Sequence, residues 1–458
     1  VPQVHVKPQD ASLEAAGSYV LNLGTIYRAL FTTLRIEPGK TLFVEGAATG
    51  TGLEALKSAR NNGLQVTGMV SNNDRAEYIR GLGATGVINR KDSRYANAFT
   101  KVPADPQQWA EWEGKGEAIL ADYRAQNNGK LADYVVSHAG ELSFPRSFQM
   151  LEENGVLTFY GASSGYHFTF MGKKGMRSPQ EMFEKGSLRA GEAVLIYYGV
   201  DTLEDGIVDA VGLEAIESAR EMGARIVVAT YTDAQKEFVQ SLGYGDAVRG
   251  VFSIEEIKRR EGENFIWPET MPDFPNPKTE TEQFKETVRF FTDYIFKPFG
   301  SAVAKYLRSP DNPRGYPDLV FERAGHDALG VSTTLLKPYT GRVVYSEEMN
   351  GRRYSFYAPQ VWMRQRRVYM PTANIWGTHL SNAYEVIRMN EMIDANMLEI
   401  TEPVFVEFEE LPEAHQAMWE NRHVGSTYVV NHAIPRAGLK TKDELYEAWA
   451  AQMNGTLE

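Results

Sequence analysis

One stretch of this chain is written twice. Residues 52–63, GLEALKSARNNG, return as residues 212–223, GLEAIESAREMG, at an offset of 160, and eight of the twelve positions are identical. The register runs on without a gap through Glu77 and Glu237, then through Leu82-Gly83 and Leu242-Gly243. A later pair, residues 133–140 against 318–325, opens on Asp and closes on Ala-Gly in both. Such matching predicts two copies of one α/β unit in tandem. With 458 residues the chain is also too long for a single core. The expected division is 1–180, 181–400 and a closing segment 401–458.

The first copy states what kind of unit this is. Thr41-Leu42-Phe43-Val44 reads as a buried parallel strand, Gly46-Ala47-Ala48-Thr49-Gly50-Thr51-Gly52 as a turn, and Leu53 onward as a helix. Strand, glycine turn and helix in that order bind phosphate: the glycines let the backbone come close, and the new helix offers free N–H groups and the positive end of its dipole. A second strand, Leu64 to Val70, ends at Ser71-Asn72-Asn73-Asp74-Arg75, the tip that meets an adenosine ribose in a dinucleotide fold. A hydroxyl, an amide and a guanidinium suit a 2′-phosphate better than a bare 2′-OH, which favours NADPH. Further strands are expected at 86–89, 133–136 and 155–160. The predicted fold is therefore two tandem Rossmann-like, doubly wound parallel sheets.

The copies differ where chemistry would sit. From Gly39 to Gly52 is 13 residues; from Gly191 to Gly212 is 21, and the longer segment carries Asp201, Glu204, Asp205 and Asp209. Four acids beside a phosphate cradle repel phosphate, so the second copy is expected to have lost its cofactor. A pseudo-twofold axis is predicted between residues 39–175 and 191–380, with edge strands paired across it.

Composition narrows the function. A net charge of −12 argues against nucleic-acid binding, and the absence of cysteine removes disulfides, thiol nucleophiles and thiolate metal sites. No 18-residue apolar window and no leader-like segment appear, which predicts a cytoplasmic protein with no membrane partner. The histidines lack metal-ligand spacing, and no metal is expected. Val1 in place of Met suggests a piece of a longer chain.

With those residues laid out, the chain resembles the medium-chain dehydrogenase/reductase superfamily, in its enoyl-CoA reductase branch. The carriers are Glu45 to Gly52, Leu82-Gly83-Ala84 with Val87-Ile88-Asn89-Arg90, Gly377-Thr378-His379 with Ser381-Asn382, and Glu409 to His415 with His423-Val424-Gly425. The segment from Trp362-Met363 to His379 is similar to crotonyl-CoA carboxylase/reductases and to the acrylyl-CoA reductase part of propionyl-CoA synthase. The family's N-terminal GroES-like domain looks absent. The resemblance implies NADPH-dependent reduction of a short-chain enoyl-CoA, acrylyl-CoA to propionyl-CoA favoured, within a larger synthase or as a homodimer. It implies cofactor contacts at Gly46, Ala48, Thr49, Gly50, Thr51, Gly52, Ser71, Arg75, Arg90 and Gly161. His379 matches a histidine that helps hold CO₂ in carboxylating relatives, and reduction without carboxylation is expected here.

Alternatives stay open. His379 and His167 are the candidate catalytic residues, each against a structural, hydrogen-bonded role. Arg75 is a cofactor contact or an exposed helix-start arginine, and Arg364, Arg366 and Arg367 grip CoA phosphates or form a solvated helix face. The competing functions are a quinone oxidoreductase-like enzyme and a non-catalytic scaffold with a vestigial nucleotide site.

Overall fold

The computed structural model describes residues 7–199, 207–267, 272–323, 328–348, 353–420, 422–423 and 427–430, with 444 and 447. Asp201, Glu204 and Asp205 of the expected acidic insertion lie outside these residues, as does most of the polar tail from 435.

In the first half the strands are β1 (Thr41–Val44), β2 (Gln65–Val70), β3 (Gly86–Asn89), β4 (Ala132–Ser137) and β5 (Leu151–Phe159). Past them come β6 (His167–Met171) and β7 (Gly175–Met176). The second half repeats the series as β8 (Ala193–Tyr198), β9 (Arg225–Thr230), β10 (Val248–Ser253), β11 (Leu319–Phe321) and β12 (Arg342–Val344), and then β13 (Glu347–Glu348) and β14 (Arg353–Tyr357). The hairpin β15 (Arg367–Tyr369) and β16 (Ala373–Gly377) follows. Elements recur at the offset of the sequence repeat: the helix Gly50–Asn61 and the helix Ala210–Glu221, β2 and β9, the helix Asn73–Gly81 and the helix Asp233–Ser241.

The two halves form one continuous twelve-stranded sheet, in the order β10-β9-β8-β11-β12-β15-β16-β5-β4-β1-β2-β3. Every neighbouring pair is parallel except β15 with β16, where Arg367 faces Trp376 and Val368 faces Ile375. Strand direction thus reverses once, at the middle. β15 extends the second half by pairing with β12, and β16 extends the first by pairing with β5. This revises the expected boundary at 400: residues 373–377 complete the first half's sheet, and the helix Ala383–Asp394 packs on the helix Leu13–Tyr27 at its flank.

A second link runs beside the sheet. β6 pairs antiparallel with β14, and β7 with β13, so residues 167–176 of one half form a ribbon with residues 347–357 of the other. Phe168, Phe170 and Phe356 of this ribbon pack with Phe144 and Phe159. The largest core runs through Phe43, Val135 and Leu157 of the first half and Leu195, Val320 and Val343 of the second without a break. Each large side chain buried there contributes about 1.5–3 kcal/mol. The opposite face of each half has its own core, around Leu42 and Leu56 in the first and Ile196 and Ile216 in the second. Covered on both faces, the central strands read as unbroken apolar runs, as in Ala193–Tyr198, where every residue is buried. Among the described residues no helix is long and apolar enough to cross a membrane.

Candidate functional site

β1, β4, β5 and β16 run in the same direction, so their C-terminal ends share one edge of the sheet. That edge, where loops leave the strands, is where ligands bind in open α/β sheets.

At its centre the chain turns from β1 into the helix Gly50–Asn61. Thr49 caps this helix: its Oγ1 accepts from the Gly52 N–H at 3.2 Å and donates to the Gly46 carbonyl at 2.8 Å. Gly46 has φ 63°, and a Cβ there would meet His138 Nε2 at 2.7 Å. A Cβ on Gly52 would stand 2.1 Å from the Gly46 carbonyl oxygen. Both glycines are thus required for the loop to close on the helix. Among the described residues the amides of Ala48, Gly50 and Thr51 donate to no protein acceptor, which leaves three N–H groups at a helix N-terminus.

A cavity of about 190 Å³ lies against this turn, and Gly46, Ala48, Thr49, Ser71, Arg75 and Arg90 all line it. Ser71 follows β2, Arg75 sits in the first turn of the next helix, and Arg90 follows β3. Arg75 is buried, not an exposed helix-start residue: its guanidinium donates to Ser71 Oγ at 2.9 Å and to the carbonyl of His423. Burial, with the like charge of Arg90, holds the Arg75 pKa below its ordinary value. Two guanidiniums facing one cavity repel each other, and a bound dianion would relieve that repulsion.

Two residues of this site escaped the sequence reading. Glu45 and His138 both line the cavity. The Glu45 carboxylate is fully buried, accepts from Ser137 Oγ at 2.5 Å and from the His138 N–H at 3.2 Å, and its Oε1 has no partner among the described residues. His138 lies 3.3 Å from Thr49 Oγ1 and stacks on Tyr160, with ring centroids 5.6 Å apart. Burial pushes the His138 pKa down, so the ring is neutral over the loop. Its position after β4, level with the glycine turn, was the available signal.

The other candidates are placed apart from that cavity. Gly161 follows β5 with φ 59° and open space around it. His379 follows β16, half-buried, where the Thr378 N–H reaches the Phe159 carbonyl at 3.0 Å. Burial and the charge of Arg28 hold the His379 pKa low. His167 opens β6 and is fully buried. Its N–H donates to Glu141 at 3.1 Å, its Nδ1 accepts from the Phe274 N–H at 3.5 Å, and its Nε2 lies 3.5 Å from Asp273. This places it in the ribbon's core and away from the glycine loop.

The equivalent turn of the second half is closed by its own side chain. Asp209 caps the helix Ala210–Glu221 by accepting from Gly212 N at 3.0 Å, and it also accepts from Gly199 N at 2.9 Å. Arg323, the counterpart of His138 in the repeat, pairs with the same carboxylate at 2.6 Å. A buried, paired carboxylate stands where the first half presents amides with no acceptor among the described residues.

Residues 50–178 match the family model described as zinc-binding dehydrogenase. The chain is 32% identical over 172 residues to the crotonyl-CoA carboxylase/reductase of Cereibacter sphaeroides, a match covering 37% of the chain and 39% of that protein. It is 28% identical over 166 residues to a crotonyl-CoA reductase of Streptomyces avermitilis, covering 36% of each. A quinone oxidoreductase of Pongo abelii matches at 25% over 190 residues, covering 41% of the chain and 54% of that protein. The crotonyl-CoA relatives are thus matched over less than two fifths of their length. Among solved structures, the crotonyl-CoA carboxylase/reductase AntE in complex with NADP aligns with 93% of this chain and 58% of its own, at 16% identity and a TM-score of 0.44. The zinc in that model's description finds no thiolate here, since the chain contains no cysteine. Among the described residues no group of three His, Cys, Asp or Glu is placed to hold a metal.

Proposed function

We propose that the chain is the nucleotide-binding and reducing part of an NADPH-dependent enoyl-CoA reductase. The observation that carries this is the cavity lined by Gly46, Ala48 and Thr49 of the glycine turn together with Arg75 and Arg90, at a helix start where the amides of Ala48, Gly50 and Thr51 meet no acceptor among the described residues. The residues fit the cofactor: the amides of Ala48, Gly50 and Thr51 would hold the diphosphate, while Ser71, Arg75 and Arg90 would hold a 2′-phosphate. The bound nucleotide supplies a hydride for Cβ of the enoyl thioester.

This chain's own residues do the rest. The ends of β5 and β16, at Gly161 and His379, flank the place where a nicotinamide and thioester would meet. Negative charge grows on the thioester oxygen as hydride adds and needs a preorganised donor. With its pKa held low, His379 offers a neutral N–H at that edge, suited to hydrogen bonding with the thioester oxygen or to passing a proton towards Cα. The second half, its turn closed by Asp209, serves as architecture. We take the halves to be tandem duplicates of which one kept the cofactor. Similarity to crotonyl-CoA reductases supports an acyl-CoA substrate, and we favour a short one such as acrylyl-CoA, reduced without carboxylation inside a larger synthase.

Titrating NADPH against intrinsic fluorescence, then following acrylyl-CoA-dependent NADPH oxidation, tests the assignment. Saturable binding with turnover is expected. Binding without turnover of any enoyl-CoA would leave only the nucleotide site, and an absence of binding would remove the proposal.

A further inference from the structure

A second cavity, of about 250 Å³, opens beneath the helix Thr281–Phe290 and its continuation to Phe296. Arg314, Arg364 and Arg366 line it together with the rings of Phe274, Tyr316 and Tyr357, and no acid is among its lining residues. The Arg366 guanidinium is buried, contrary to the expectation of a solvated helix face. It donates to the Gln360 carbonyl at 3.0 Å and to the Leu336 carbonyl, and its Nε finds no acceptor among the described residues. Burial, then the like charge of Arg364, lowers its pKa to about 9. Arg314 and Arg364 form no ion pair among the described residues. Buried charges in proteins are paired, and among the described residues Arg366 meets carbonyl and amide oxygens of Gln360 and Leu336 but no carboxylate, so the cavity suits an anion.

The place of the cavity in the fold says what that anion belongs to. Because the halves run in opposite directions, the N-terminal ends of β11, β12 and β15 lie on the same sheet edge as the C-terminal ends of β5 and β16. Arg366 precedes β15, and its carbonyl accepts from the Gly377 N–H at 3.0 Å, two residues before His379. A row of rings joins the cavity to that edge: Tyr357 to Tyr166 at 6.3 Å, Tyr166 to Trp362 at 5.5 Å, Trp362 to Phe159 at 6.3 Å. We propose that this cavity takes the phosphorylated adenosine end of a coenzyme A handle, its phosphates on the three arginines and its purine on the aromatic wall. The inference rests on the acyl-CoA reading above and gives that reading an address.

The test is calorimetric titration of the full chain with adenosine 3′,5′-bisphosphate, run with and without saturating NADPH. Saturable binding that persists under NADPH is expected, since the glycine-loop cavity is then filled. The Arg314→Ala/Arg364→Ala double variant, altered at two exposed side chains, should weaken it roughly ten- to hundredfold while leaving the melting temperature and NADPH affinity unchanged. Loss of bisphosphate binding under NADPH, or equal affinity in the double variant, would overturn the proposal. So would inorganic phosphate or unphosphorylated adenosine binding as tightly as the bisphosphate. If bisphosphate binds and NADPH does not, the glycine-loop assignment falls and this one stands.

Discussion

At Gly52 the space for a side chain is already taken by the Gly46 carbonyl oxygen, 2.1 Å from where a Cβ would stand. Gly52→Ala is therefore expected to push the helix off the loop, lowering stability by about 1–3 kcal/mol and abolishing NADPH binding. Thermal melts and a fluorescence titration check both. Arg90 is exposed, and Arg90→Ala should weaken NADPH roughly tenfold while leaving NADH binding nearly unchanged. Equal losses for the two nucleotides would remove Arg90 from the 2′-phosphate site. Thr49 and Asp209 stand at the same position of the repeat and both cap helices, yet one leaves the turn open to an anion and the other fills it. The glycines and the caps were legible as types in the sequence. The burial of Arg75 and Arg366 was not, because what buries them arrives from residues far along the chain.

The helix Gly50–Asn61 shows the same effect for a whole element. Its sequence nearly repeats in Ala210–Glu221, but Glu54 is buried where Glu214 is exposed. The difference is residues 399–401, which cross the first helix: the Thr401 N–H donates to Glu54 at 3.0 Å, and Lys57 pairs with Glu399 at 3.1 Å. Burial raises the Glu54 pKa from 4.5 to about 7. Below pH 4.5 the carboxyl is protonated in both states and adds no pH dependence. As the pH rises towards 7, only the unfolded state releases the proton, so stability falls by an amount on the order of 3 kcal/mol and then levels off. Glu54→Gln should flatten the fall in melting temperature between pH 5 and pH 8, as read by thermal melts across that range. An unchanged profile would contradict the burial argument.

The molecule as a whole is held by a reversal of strand direction. Val368 and Ile375, both fully buried, face each other where the halves join. Val368→Asp would put a charge in that seam and should cost on the order of 4 kcal/mol or more. Because the largest core runs through both halves, calorimetry should show one unfolding transition, lowered but not split by this substitution. Two separated transitions would mean that the halves are independent. Titration to saturation should count one NADPH per chain, because Asp209 and Arg323 occupy the second turn.

What the linear order of residues determined was everything local: the repeat, the strand-turn-helix of each copy, the apolar runs covered on both faces, and the glycine loop between β1 and its helix. Those depend on spacing and on backbone freedom within a few residues. Only the tertiary structure decided that the twelve strands form one sheet, that residues 373–377 belong to the first half, that His167 is core, and that three arginines converge on one cavity. Strand pairing and burial are settled between residues as far apart as Arg75 and His423, 348 positions along the chain, and no local pattern records which of them meet.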